Sequence, residues 1–357
     1  MRKVLRFLLL NPILWIVEKF SSSPDRERIF EALTKLNGSL HTDPGKKGFV
    51  IPLEINKGKF ILFSDQHKGA KNGADDFRLC EGNYLSALQH YDQEGFHLIC
   101  LGDSEELWEN TLLQVKKHNT LSFAAERKFA IRNAFTKIFG NHDLDWEINP
   151  TAEKDLRELY HMPVAVLEGV ILQCAVKEKS LSIFCTHGHQ GDLQSDGNLF
   201  SKFFVSKIWA PLQAYLQIYP NTPAYNDTLK TEHNNIMYEW SSQQKNLILI
   251  TGHTHQPVFE SLTHLERLQR QEAIKRSVGR SNPPDSTIPL PAVDLFSKIR
   301  PTYFNTGCCC YSDGDITGIE ISEKCIKLIK WKKKDGQSVR IELENISFEQ
   351  LVDQLSE

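Results

Sequence analysis

Residues 247–257 read LILITGHTHQP. An apolar run stops at Gly252, and His253 and His255 follow two residues apart. In an extended chain, residues i and i+2 point to the same side. Both imidazoles can then face one point while Thr254 faces away. A buried strand ending in paired imidazoles is one way to build a metal site. Two surface histidines after a strand are the plainer alternative, since most histidines bind nothing. The other strand ends decide between the two.

Working outward, four more apolar runs end in polar, ligand-type residues. FILFS (60–64) ends in Asp65-Gln66-His67, again two apart. HLICL (97–101) ends in Gly102-Asp103, where a glycine lets the backbone turn close to something bulky. Residues 104–108, SEELW, look like the start of a helix. A helical stretch over 121–136 leads through 137–139 into Gly140-Asn141-His142-Asp143. Asn141 offers a neutral carbonyl oxygen and His142 a proton carrier, and Asp143 is placed to orient that imidazole by a hydrogen bond. Residues 166–175 and 181–185 read as paired strands, the second ending in Thr186-His187-Gly188-His189.

Strands alternating with helices place these ends where β-α loops converge, at the C-terminal ends of strands in an α/β sheet. Carboxylates with several imidazoles suit manganese, iron or zinc better than a thiolate-loving ion. The donors are too many for one metal with open positions. They suit two metals sharing a bridging carboxylate.

The order D-x-H, GD, GNHD, H, GHTH resembles the calcineurin-like metallophosphoesterases, over roughly residues 59–321. The resemblance implies an α/β (α+β) fold, a four-layer sandwich of two mixed β-sheets flanked by helices. It implies that Asp65, His67, Asp103 and His255 hold one divalent ion, most readily Mn²⁺, with iron or zinc as alternatives. Asp103 would bridge to a second ion held also by Asn141, His187 and His253. His142, paired with Asp143, would contact the substrate or the leaving group. The implied activity is hydrolysis of a phosphomonoester, phosphodiester or pyrophosphate. GDSEELW (102–108) and YFNTG (303–307) resemble the UDP-2,3-diacylglucosamine pyrophosphohydrolases, but His142 stands where that branch has arginine, and this chain is longer. GNHD, not GNHE, and the lack of an arginine soon after Asp103 disfavour the protein Ser/Thr phosphatases. The expected partner is a small phosphoester, nucleotide- or lipid-linked. A non-catalytic interaction module on the same fold is the alternative from another class. A nuclease or nucleotide phosphodiesterase is the third reading.

The rest of the chain supplies organisation. The 357 residues carry a formal net charge of -3, with no basic drive toward nucleic acid. The eight cysteines form no CxxC pair and read as reduced core or near-core thiols, which favours a reducing compartment, with binding of a soft metal as the alternative for Cys308–Cys310. A main domain is expected over 46–345, after an apolar and helical extension (1–45) and before a C-terminal helix (346–357). The uncharged run 7–17 is shorter than the roughly 20 residues a membrane span needs. It suits a helix docked on the protein's own core, or one lying in a membrane surface through residues 4–17. A signal-peptide core is the third alternative, disfavoured by Glu18 and Lys19 and the lack of an A-x-A-like site. The expected location is cytoplasmic, with peripheral contact at the inner membrane surface. A helix over 24–36 is expected with Ser22 or Ser23 as cap, and residues 46–59 as turns. Helices are expected over 75–91 and 229–240. The insertion 190–245 carries aromatic residues suited to a lid or to simple packing, and the insertion 259–300 reads as a surface helix and loop, the helix being a charged stretch over 257–278 and the loop the Pro-rich 281–291. Asp313-Gly314 and Asp335-Gly336 suit hairpin turns near the C-terminal end.

Overall fold

Side chains alternating between two covered faces explain why the short apolar runs are strands. A computed structural model describes residues 24–72, 75–191, 227–263, 265–269 and 299–356. In β2 (Phe60–Phe63) every residue is buried. Ile61 and Phe63 face one hydrophobic cluster, whereas Leu62 faces another. Strand β3 (His97–Leu101) repeats this, with Leu98 and Cys100 on one side and Ile99 and Leu101 on the other. A strand covered on both faces has no solvent side, so its sequence is a continuous apolar run.

Two seven-stranded sheets result. The first contains β1 (Gly48–Pro52), β6 (Gly169–Val176), β7 (Lys179–Thr186), β8 (Leu247–Thr251), β9 (Val258–Phe259), β10 (Leu262–Thr263) and β11 (Tyr303–Asn305), in the order β1-β6-β7-β8-β11-β9-β10. The second holds β2, β3, β4 (Phe135–Ile138), β5 (Val166–Leu167), β12 (Ile316–Ser322), β13 (Cys325–Lys334) and β14 (Gln337–Ser347), in the order β14-β13-β12-β2-β3-β4-β5. Both are mixed: β7-β8-β11 and β2-β3-β4-β5 run parallel, and the remaining neighbours are antiparallel apart from β1-β6.

The largest cluster lies between the sheets, joining Leu62, Ile99 and Ile319 to Leu172, Ile183 and Ile250. Helices Phe77–Gln93 and Thr120–Ile131 cover the outside of the second sheet through Phe77, Tyr84, Leu88 and Phe129. Helices Arg26–Thr42 and Asp227–Ser242 cover the first through Ile29, Leu33, Met237 and Trp240. The fold is therefore α/β, two mixed sheets between helical layers, as expected.

Several local expectations are corrected. The first helix starts at Arg26, and its cap is Asp25, whose side chain accepts from the Arg28 amide at 3.0 Å. Residues 48–52, expected as turns, pair with β6 as an edge strand. Residues 104–108 form no helix: Glu105 makes a parallel bridge with Lys68. The helix over 121–136 ends at Ile131, and Thr136 belongs to β4. The stretch after Pro257 is a tight hairpin, with Glu260 and Ser261 both at positive φ. Asp335-Gly336 does join β13 to β14, but the β12–β13 hairpin turns on Glu323-Lys324, and Asp313-Gly314 joins no paired strands. The expected apolar helix over 7–17, most of the 190–245 insertion and most of 259–300 lie outside the described residues. No helix among the described residues is long and apolar enough to cross a membrane.

Candidate metal centre

Three parallel strands of each sheet aim their C-terminal ends at one place. From the second sheet, β2 delivers Asp65 and His67, β3 delivers Asp103, and β4 delivers Asn141 and His142. From the first, β7 delivers His187 and β8 delivers His253 and His255. All of these side chains except the partly exposed His255 are buried.

The residues meet by a different backbone route from the extended chain expected. Asp65, His67, Asp103, His253 and His255 all have φ between 50° and 68°. Non-glycine residues seldom adopt this left-handed region, although Asp and His tolerate it better than most. It costs on the order of 1–3 kcal/mol at each position, and such residues cluster at functional sites. The turn Gly252–Thr254 closes with a 2.8 Å backbone hydrogen bond. Thr254 still faces away, donating to Asn234 Oδ1 at 3.1 Å.

The donors fall into two groups with one member in common. On one side, His255 Nε2 is 3.2 Å from both Asp65 Oδ1 and His67 Nε2, and His67 Nε2 is 3.7 Å from Asp103 Oδ2. On the other, His187 Nε2 is 3.2 Å from Asp103 Oδ2 and 3.3 Å from Asn141 Oδ1. The His253 ring centroid lies 5.2 Å from that of His187. Asp103, His187 and His253 form one set able to hold an ion, His67, Asp103 and His142 form a second, and His67, His255 and Cys310 a third. Metal–ligand bonds of about 2.0–2.2 Å put neighbouring donors roughly 3 Å apart, so the donor spacing fits. Asp65 Oδ1, fully buried, receives no hydrogen bond. An orphaned carboxylate oxygen facing two imidazole nitrogens is what a metal ligand looks like without its ion.

Supporting contacts fix the rings. His187 Nδ1 donates to the Leu101 carbonyl at 2.9 Å, which leaves Nε2 as the ligand atom. His67 Nδ1 meets Glu106 Oε2 at 2.9 Å. His255 Nδ1 meets Cys310 Sγ at 3.5 Å. Asp65 Oδ2 accepts from the His253 amide at 3.0 Å and also from Ser64 Oγ. Asp103 Oδ1 accepts from the His142 amide at 2.8 Å. Packing here leaves no spare volume: a Cβ on Gly140 would sit 2.2 Å from Asp103 Oδ1, and one on Gly102 2.4 Å from His187 Nδ1.

Asp143 does not orient His142 as expected. Its carboxylate accepts from the amides of Gly140 (2.6 Å) and Ser104 (2.8 Å), tying the GNHD turn to the GD turn. The His142 ring has other supports. Its Nδ1 lies 2.8 Å from Glu106 Oε2, and its face stacks on Trp108 with centroids 4.3 Å apart. Glu106 thus touches both His67 and His142. Burial pushes its carboxyl up, but the facing imidazoles outweigh burial and hold it at about 2. Burial pulls His67 down, whereas Glu106 and Asp103 more than reverse this and raise it to about 9. In the metal-free protein these charges hold protons that a bound cation would displace.

Sequence reasoning missed four groups. Glu106 and Cys310 are two. A third is the buried ion network below the GD turn. Glu105 lies 2.9 Å from Lys137 and 3.3 Å from Lys68, and accepts from Trp146 Nε1 at 2.7 Å, while Lys68 also pairs with Glu126. The fourth is His233, whose Nε2 lies 2.8 Å from the Gly188 carbonyl and whose ring is 5.1 Å from that of His253. A lysine inside the strand FTKI was the visible signal for the network.

No protein-family model and no curated protein matches the sequence. Among solved structures, the chain resembles Vacuolar Protein Sorting 29 from Cryptosporidium parvum. The identity is 13% and the TM-score 0.33, over 82% of this chain and 99% of that one.

Proposed function

We propose that the protein is a metal-dependent hydrolase of phosphoester bonds, working on a small nucleotide- or lipid-linked diester, pyrophosphate or monoester. One observation carries this reading: Asp103 belongs to two of the three donor groups, one with His187 and His253 and one with His67 and His142, so a single carboxylate joins two potential ion positions. Two divalent ions there, Mn²⁺ first among them, would acidify a water and neutralise the phosphoryl oxygens. The protein's own residues do the rest. Asp65, His67 and His255 define one side, Asn141, His187 and His253 the other. His142 stands at the edge of the first side, its ring held by Trp108 and Glu106. An imidazole there can give a proton to the departing alkoxide. Beside it, a cleft of about 340 Å³ is lined by Leu107, Trp108, Asn110, Leu112 and Trp146, among others. Its mixed aromatic and amide walls suit an organic leaving group.

The test uses metal-stripped protein reloaded with Mn²⁺ and offered monoester, diester and pyrophosphate substrates. Turnover that disappears in Asp103→Asn supports the proposal. Two bound ions without turnover on any of the three classes would favour a non-catalytic binding module.

A further inference from the structure

The segment after β11, Cys308-Cys309-Cys310, was read from sequence as core or near-core thiols, and Cys308 and Cys309 are buried while Cys310 is partly exposed. Cys309 is fully buried beside Phe63 and Tyr84. Its amide donates to the carbonyls of Ser64 (3.2 Å) and Asp65 (3.1 Å). The chain bends at Cys309, so its two neighbours face the opposite way, toward the metal centre. Cys310 Sγ reaches His255 Nδ1, and Cys310 is partly exposed. The buried Cys308 thiol lies against both Cys310 and the His255 ring. Tyr311 donates its hydroxyl to the His255 carbonyl at 3.1 Å, so the same segment grips the ligand twice.

We propose that Cys308 and Cys310 form an oxidisable dithiol that controls metal affinity on the His255 side of the centre. This rests on the metal-centre reading above. In the reduced protein, the Cys310 sulfur accepts the Nδ1–H of His255. That leaves the Nε2 lone pair facing Asp65 and His67. Leu101 does the same for His187 and Glu106 for His67, but neither a carbonyl nor a carboxylate can be oxidised. Of the three supports, only sulfur can.

Hydrogen peroxide is the oxidant. Cys308, which lies against the His255 imidazole, attacks it as the thiolate; an S–O bond forms, the O–O bond breaks and one water leaves. Cys310 then attacks that sulfur; the S–O bond breaks, the S–S bond forms and a second water leaves. Two thiols give up two electrons and two protons, and the peroxide takes them. Cα atoms two residues apart at a bend fall within the 4.4–6.8 Å range that disulfides span. The disulfide draws the Cys310 sulfur toward Cys308 and leaves His255 a weaker acceptor. Loss of such a supporting contact typically weakens metal binding by about 10–100-fold. The Asn141, His187 and His253 side keeps its supports.

The test titrates full-length, metal-stripped protein with Zn²⁺ calorimetrically, before and after peroxide and again after dithiothreitol. Peptide mapping follows the 308–310 linkage. The expected result is a disulfide, a 10–100-fold loss at one of two sites, and recovery on reduction. Cys308→Ser, which cannot form the linkage, should show the same affinities before and after peroxide. The proposal is overturned if the disulfide forms and both affinities persist, if no disulfide forms, or if Cys308→Ser loses metal as the wild type does. A sulfur-to-metal charge-transfer band in the Co²⁺-loaded protein would also overturn it, by making Cys310 a direct ligand. Two binding sites insensitive to peroxide would leave the metal centre standing and remove only the switch. No metal bound by the reduced protein would sink both.

Discussion

Replacing Glu106 by glutamine should unbalance the two ion positions. One Glu106 oxygen touches Nδ1 of both His67 and His142, at 2.9 and 2.8 Å. Glutamine keeps the size but loses the charge, and one of its two ends must place an NH₂ where Glu106 now accepts, from the two imidazoles at Oε2 or from the Trp108 amide at Oε1. His67 is a donor on the Asp65 side, whereas His187 takes its orientation from the Leu101 carbonyl, which the change leaves alone. Supporting partners of metal-bound histidines are worth about 10–100-fold in affinity, or about 1.4–2.8 kcal/mol. Calorimetric titration of metal-stripped protein with Zn²⁺ should therefore show one site weakened by that factor and the other nearly unchanged. Glu105→Gln serves as the contrast, since Glu105 contacts lysines and Trp146 and no ligand histidine. It should lower the melting temperature while keeping the ratio of the two affinities. Equal weakening of both sites in Glu106→Gln, or no weakening, would refute the assignment of Glu106 to one side.

Three further outcomes are expected. Lys68→Met strips a fully buried cation from Glu126 and Glu105 and should cost about 3–5 kcal/mol in urea unfolding; adding Glu126→Leu should recover part of it, and a neutral single change would contradict the pairing. Gly140→Ala forces Asp103 and His187 apart, with about 1–3 kcal/mol of destabilisation and loss of bound metal, and full metal content in this variant would show that the turn yields. His97 is held down at about 4 by burial and by Arg132, so as pH falls below about 6.5 the unfolded chain takes up its proton first; stability from this residue is present above that pH and is lost toward pH 4, by up to about 3 kcal/mol. His97→Gln should flatten the stability profile in that window, and an unchanged profile would rule the residue out as its source.

The strands and most ligands were legible because two-sided burial writes itself as an apolar run, and ligand chemistry follows at its end. FILF, HLICL and LILIT needed nothing more. The errors share a physical cause. SEELW has helical composition, but the Glu105 carboxylate is drawn between Lys68 and Lys137, from other segments, and its backbone bridges to Lys68. Tertiary ion pairing overrode local propensity there. Asp143 looked like a partner for its neighbour His142, yet a carboxylate in a tight turn finds backbone amides first, and those of Gly140, Ser104 and Glu105 lie within reach. Glu106 and Cys310 lie 39 and 55 residues from the histidines they support, His67 and His255, and no local spacing announces such a contact.

The position of the centre also explains why its ligands are scattered over some 190 residues of sequence. Each sheet is mixed, so only its parallel strands end on the same side. The second sheet has β2, β3 and β4 in that relation, and the first has β7, β8 and β11. Where these two sets meet, six loops converge. Five bring side chains of the donor set and the sixth brings Cys308 and Cys310. The left-handed residues lie on three of these loops, after β2, β3 and β8. Such strain is tolerated only where neighbouring structure enforces it. Here the enforcement is visible: the Asp65 amide bonds the Gly102 carbonyl at 3.1 Å, the His67 amide bonds the Asp103 carbonyl at 2.9 Å, and the Gly252 amide bonds the His187 carbonyl at 2.9 Å. Each turn is held by the next. A ligand changed in one loop should therefore disturb the backbone of its neighbour, whereas a change confined to the outer partner of one ring, as at Glu106 or Cys310, leaves these backbone bonds intact and should stay on its own side of Asp103.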